Sequence, residues 1–144
     1  MDPLFAWIEA TALAKAIAES LTLTATLSAV HLLGFTLVMG SALVGNLRLL
    51  GWLLSQHAAD QVLRPCNRAI TIGLATSVTT GALLFAARAT AVGVNGTFQL
   101  KMLLLLAAAA FQFAYAPRAR VGAAVSLALW LALAVTACVF ILLE

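Results

Sequence analysis

Apolar residues fill this chain in four long stretches, set apart by a handful of charged positions. No charge interrupts the 28 residues between Glu19 and Arg48, the 19 between Arg68 and Arg88, the 16 between Lys101 and Arg118, or the 23 between Arg120 and Glu144. A helix needs about 20 apolar residues to cross a hydrocarbon core of roughly 30 Å. Each stretch therefore reads as one membrane crossing, with spans at about 21–46, 67–88, 98–117 and 121–143. The third stretch is long enough if its helix starts near Thr97, because Lys101 can lay its methylenes along the helix and lift its ammonium to the headgroups. Chain breakers fit the same division. Pro65 suits the first turn of the second helix, Asn95-Gly96 suits a turn before the third, and Pro117 leaves so short a link that the third and fourth helices must form an antiparallel hairpin. No segment alternates with the two-residue period of a strand. The fold class predicted is all-α: one integral membrane domain, residues 1–144, built as an antiparallel four-helix bundle.

Ahead of the first span, residues 3–19 put Trp7, Ala10, Ala14 and Ile17 on one helical stripe, with Glu9, Lys15 and Glu19 elsewhere. That pattern predicts a short N-terminal surface helix. It lacks the basic start and compact apolar centre of a cleaved signal peptide and is expected to be retained.

Composition narrows the function classes. Of 144 residues, 64% are hydrophobic and 9% charged, and the mean hydropathy is +1.08, against about 45–50% and about 25% in soluble domains. No room remains for a Rossmann, P-loop or other soluble catalytic head. The net charge of +3 comes from eight basic residues scattered between apolar runs, which make no nucleic-acid patch. Their distribution is better explained by membrane orientation. Arg48, Arg64, Arg68, Arg118 and Arg120 share one side, Lys15, Arg88 and Lys101 the other, so the five-residue side is expected in the cytoplasm and both termini outside. Cys66 and Cys138 form no metal, redox or haem-attachment motif.

Candidate chemistry concentrates at His31, near the middle of the first span, where an ionisable side chain is costly. Thr24, Ser28, His31, Gly34, Ser41 and Gly45 form a small and polar stripe that should meet other helices. One reading makes His31 a neutral imidazole hydrogen-bonded to a neighbouring hydroxyl, for instance on the second span beside the stripe Gly73, Ser77, Gly81. The other makes it a ligand to haem iron or another metal, or a proton-handling group. His57 falls in a loop about half a bilayer away, so bis-histidine ligation would require His31 from each of two chains. Lys101 and Gln112, eleven residues apart, share a helix side. Lys101 either snorkels or meets a haem propionate, lipid phosphate or quinone oxygen, and Gln112 reads as interhelical glue. Arg48 either anchors a span end or pairs with an anionic cofactor group. Trp130 reads as packing or lipid contact, and Met39 and Met102 as core filler, since a copper pathway needs more Met, Cys and His. No nucleophile–base pair or paired intramembrane carboxylates suggest an enzyme.

The segments His31-Leu-Leu-Gly34, Asn46-Leu-Arg48-Leu-Leu-Gly51, Gly81-Ala-Leu-Leu-Phe85 and Phe98-Gln-Leu-Lys101 resemble an uncharacterised bacterial family of small four-helix membrane proteins. That family is similar in layout to CopD-like copper-resistance domains and to four-helix b-type cytochromes. The resemblance covers roughly residues 4–116 and implies a bacterial inner-membrane location, with His31, Arg48 and Lys101 as the cofactor-binding candidates. The chain departs from the pattern by carrying Asn46 in place of an aspartate and by lacking a second histidine near Pro117. Three functions follow as expectations. The first is an accessory or scaffold subunit, packed against other membrane subunits or a second copy in a respiratory or photosynthetic assembly. The second is an electron carrier with haem b or quinone at His31, and the third is copper handling.

Overall fold

The computed structural model describes residues 3–115 and 119–143, without the side chains of residues 114, 115 and 143. Two short helices, α1 (Pro3–Glu9) and α2 (Ala12–Glu19), precede the first long one, α3 (Leu21–Leu50). Then come α4 (Ala59–Ala87), α5 (Ala89–Gly93), α6 (Gly96–Ala110) with a π turn over Phe111–Tyr115, and α7 (Arg120–Leu143). Among the described residues no strand occurs. Among the described residues four helices are long and apolar enough to cross a membrane, Leu21–Leu50, Ala59–Ala87, Gly96–Phe113 and Arg120–Leu142. The chain is a multi-pass membrane protein.

Local chemistry explains where the elements begin and end, and corrects several predicted limits. The surface helix is two helices, because the Thr11 hydroxyl accepts the Ala14 N–H (3.3 Å) as an N-cap and donates to the Ile8 carbonyl (2.8 Å). The break turns the first segment away from the predicted stripe. Of that stripe, Ala14 and Ile17 are buried against the bundle and Ala10 and Trp7 are exposed, Trp7 by 69%, while Phe5 packs edge-on to Phe85 with ring centroids 5.9 Å apart. The first span is four residues longer than predicted, since it runs until Gly51 adopts φ +84, the left-handed conformation that glycine takes without penalty. The second begins at Ala59 rather than 67, so Pro65 lies in its interior and not its first turn. The carbonyl that loses a partner to Pro65 belongs to Gln61, which is exposed at the helix end. Asn95 caps α6 as the predicted turn implied, its Oδ1 accepting the N–H groups of Thr97 (2.9 Å) and Phe98 (3.2 Å). The link at Pro117 and Arg118 lies outside the described residues.

The long helices alternate in direction. Antiparallel to α3 run both α4, with Gly34 facing Gly73 and Ser77 and Gly45 facing Cys66, and α7, with Asn46 meeting Ser126. Antiparallel to α7 runs α6, with Gln112 meeting Ser126 and Phe98 meeting Phe140. Val38, Ala42, Ile70, Ala108, Trp130 and Leu133 form the buried core. The outer faces are just as apolar: Leu33, Ile72, Leu106, Val135 and Leu142 are all exposed, which is what hydrocarbon contact requires. Five threonines on these helices, the exposed Thr26, Thr36 and Thr71 and the half-buried Thr76 and Thr136, each donate to the carbonyl four residues earlier at 2.8–3.0 Å.

Candidate functional site

His31 is the eleventh residue of α3, about 15 Å along that helix. Its position is set by glycine on the facing helix. A Cβ at Gly81 would stand 2.9 Å from His31 Cε1, so the imidazole lies directly against the α4 backbone. Nδ1 is 2.9 Å from the Ser77 carbonyl oxygen and 3.2 Å from Thr80 Oγ1. The carbonyl has no proton to give, and the Thr80 hydroxyl donates to the Thr76 carbonyl (2.7 Å). Both partners therefore accept from Nδ1–H, and the network assigns the neutral ring a tautomer with its lone pair on Nε2. The Ser77 hydroxyl returns a bond to the His31 carbonyl at 3.3 Å. The predicted hydroxyl partner on the second span is thus present, joined by a backbone carbonyl.

Nε2 is different. Among the described residues no hydrogen bond reaches it, and no buried side-chain nitrogen or oxygen lacks a partner, so this nitrogen is unpaired and not fully enclosed. Lys101 lies on α6. Its ammonium sits 5.5 Å from the Phe140 ring centroid, a cation–π distance. Gly81 of α4 faces His31, and one turn on Phe85 stacks on Phe98 of α6 with centroids 5.3 Å apart, so His31 and Lys101 share one half of the bundle. Arg48 does not join them. It is seventeen residues further along α3, about 25 Å away, where Nε donates to the His57 carbonyl (3.1 Å) and Nη2 bonds the same oxygen.

A second polar cluster spans all four long helices near the Arg48 end. Asn46 Nδ2 donates to the Ala42 carbonyl (2.8 Å) and to Ser126 Oγ (3.1 Å). Ser126 Oγ donates to Gln112 Oε1 (3.0 Å), Trp130 Nε1 approaches the same oxygen (3.5 Å), and Gln112 Nε2 donates to Asn67 Oδ1 (3.0 Å). Asn46, Gln112, Ser126 and Trp130 are all buried. Gln112 lies in the π turn, one of the wider turns in which helices often set functional side chains. The glue reading of Gln112 holds. The sequence marks Asn46 only as a departure from an aspartate and gives no signal for Asn67 or Ser126.

Outside the spans, Glu9 fastens α1 to α5: the backbone N–H of Thr90 donates to its Oε2 (3.0 Å), and the Thr90 hydroxyl donates to the same oxygen. These bonds, chiefly the hydroxyl's, hold the Glu9 pKa below the usual 4.5. A group whose pKa is lowered on folding contributes above its unfolded value and loses that contribution as pH falls through the folded one. Acidification below about pH 4.5 should therefore loosen α1 from the bundle and increase its proteolysis. Glu9→Gln, which does not titrate, should abolish this acid dependence, and an unchanged acid response in that variant would show that another group is responsible.

The chain belongs to a family of unknown function, DUF6644, which matches it over residues 4–143. No curated protein and no solved structure matches it.

Proposed function

We propose that this DUF6644 member is a small accessory subunit of a larger inner-membrane assembly, respiratory or photosynthetic, with its arginine-rich end in the cytoplasm and both termini outside. The observation that carries this reading is the unpaired Nε2 of His31. An acceptor left in hydrocarbon without a donor costs roughly 1–3 kcal/mol. A ring fixed by its other nitrogen and aimed by glycine is suited to a donor brought by a neighbouring subunit or a second copy of this chain. The apolar outer helix faces supply the rest of such a contact. The charge distribution, five basic residues against three, supports the orientation.

A second reading rests on the same tautomer. A ligating imidazole normally donates its other N–H to a carbonyl or carboxylate, as Nδ1 does to Ser77. His31 from each of two chains would then hold haem b, with Lys101 beside a propionate. Haem bound there would supply one-electron transfer. A quinol hydroxyl would suit the same nitrogen. The resemblance of the sequence segments to a family similar in layout to four-helix b-type cytochromes favours this reading. Copper handling, suggested by the CopD-like layout, has least support, since among the described residues no three His, Cys, Asp or Glu side chains converge.

One preparation separates the readings. Isolated from its native membrane in mild detergent, the wild type should migrate within a larger complex, and His31→Ala should leave that complex while losing only about 1 kcal/mol of bundle stability. Monomeric migration of the wild type would overturn the subunit reading. A reduced-minus-oxidised haem band, lost in His31→Ala, with haem near one per two chains, would establish the second reading in its place.

A further inference from the structure

The loop between α3 and α4 is short, apolar and built. Arg48 closes it through the His57 carbonyl. The N–H groups of Trp52 and Leu53 return to the Leu47 carbonyl at 3.0 and 3.3 Å, and the His57 N–H reaches the Leu54 carbonyl at 3.0 Å. Within it Leu54 has φ +50, an uncommon conformation for a branched residue, next to a chain reversal already made by Gly51. Trp52 is 78% exposed, and Leu53 and Leu54 are exposed beside it. A loop fixed in this way presents Trp52 almost wholly, and Leu53 and Leu54 in part, to the surroundings.

Basic residues surround it. Arg64 and Arg68 are exposed one turn apart on α4. Arg120, at the start of α7, holds its guanidinium over Gly51, within 3.9 Å of where a Cβ would stand. Among the described residues none of these three is engaged by a protein partner. The acid in the first turn of α4, Asp60, stands alone against Arg48, Arg64, Arg68 and Arg120. Tryptophan seeks the headgroup boundary, and arginine beside it attracts anionic lipid.

The geometry points to the loop of residues 51–58 as a lipid anchor that selects anionic phospholipid. Trp52, Leu53 and Leu54 enter the interfacial zone of the leaflet at the arginine end, and Arg64, Arg68 and Arg120 bind the phosphodiesters gathered around them. Arg48 acts through the loop's shape, by holding His57, and not on the lipid. The surface differs from the His31 site in position and in chemistry, and stands or falls independently of it.

The test uses the full chain in vesicles of phosphatidylcholine, alone or with about a third phosphatidylglycerol. Trp52→Cys, in a Cys66→Ala, Cys138→Ala background, carries a polarity-sensitive dye. The expected result is a blue-shifted emission, protected from aqueous iodide and quenched by lipids bearing a nitroxide near the headgroup, with a larger shift in the anionic vesicles. Spin-labelled phosphatidylglycerol should be retained by the wild type in preference to phosphatidylcholine, by about fivefold for each arginine engaged. The preference should collapse in Arg64→Gln, Arg68→Gln, Arg120→Gln and in high salt. A dye open to iodide in both vesicle types overturns the anchor, as does a lipid preference indifferent to the three arginines. A blue shift seen only after membrane proteins are added assigns the face to a protein partner and equally overturns it.

Discussion

Gly73→Leu should force α3 and α4 apart, at a cost of about 3 kcal/mol or more, read as loss of stability in detergent. A Cβ at Gly73 would fall 2.7 Å from the Gly34 carbonyl oxygen and 3.1 Å from the Val38 nitrogen. Both are backbone atoms, so no side-chain rotation relieves the clash and the helices themselves must move. The same substitution at Gly34 meets Ser77 Oγ at 2.7 Å and the Gly73 carbonyl at 3.0 Å, and Gly81→Leu would displace the His31 ring. Separation would also break the His31 bonds to Ser77 and Thr80, so packing and site geometry should fail together. Val139→Leu and Ile141→Leu, at exposed positions, should change stability by less than about 0.5 kcal/mol. Equal stability of all five variants would mean that the two backbones do not touch as described.

Gln112→Leu is expected to be the next most damaging change, by roughly 2–3 kcal/mol. It removes the acceptor of Ser126 and Trp130 and the donor to Asn67, and each polar group left unpaired away from water costs about 1–3 kcal/mol. Partial rearrangement keeps the total near the lower end, since hydrogen bonds measured in membranes average about 0.6 kcal/mol. The diagnostic is coupling. Combined with Ser126→Ala, the loss should fall short of the sum of the single losses by at least about 0.5 kcal/mol. Strict additivity would mean that the two side chains do not form one network.

Much of the architecture was legible because hydrocarbon leaves a chain few choices, and the four spans could be placed from charge spacing alone. What misled was local. Pro65 suggested a helix start, yet the Ala59–Arg64 turns form before it, because the Gln61 carbonyl it deprives is exposed. The Thr11 hydroxyl split the surface helix and so exchanged Phe5 for Trp7 as the packing residue. At the site, the Gly73, Ser77, Gly81 stripe pointed to the correct partner helix for His31. The tautomer was hidden, since it depends on where the Thr80 proton goes. Asn67 and Ser126 are hidden in the sequence for a different reason. Helices that are apolar on every side carry no periodic signal to separate inward from outward positions, and Trp130, which the sequence allows either to pack or to face lipid, is fully buried.

The hydroxyls of Thr26, Thr36, Thr71, Thr76 and Thr136, folded back on their own helices, change what the surroundings perceive. Each bond occupies the hydroxyl proton within the helix itself, so the side chain asks less of its surroundings than a free hydroxyl would. A hydropathy scale counts these positions as polar, but an acyl chain sliding past them meets a surface close to that of valine. The exterior of the bundle is therefore greasier than its letters suggest, and His31 Nε2 stands out against it as a place where a passing polar molecule has reason to stop.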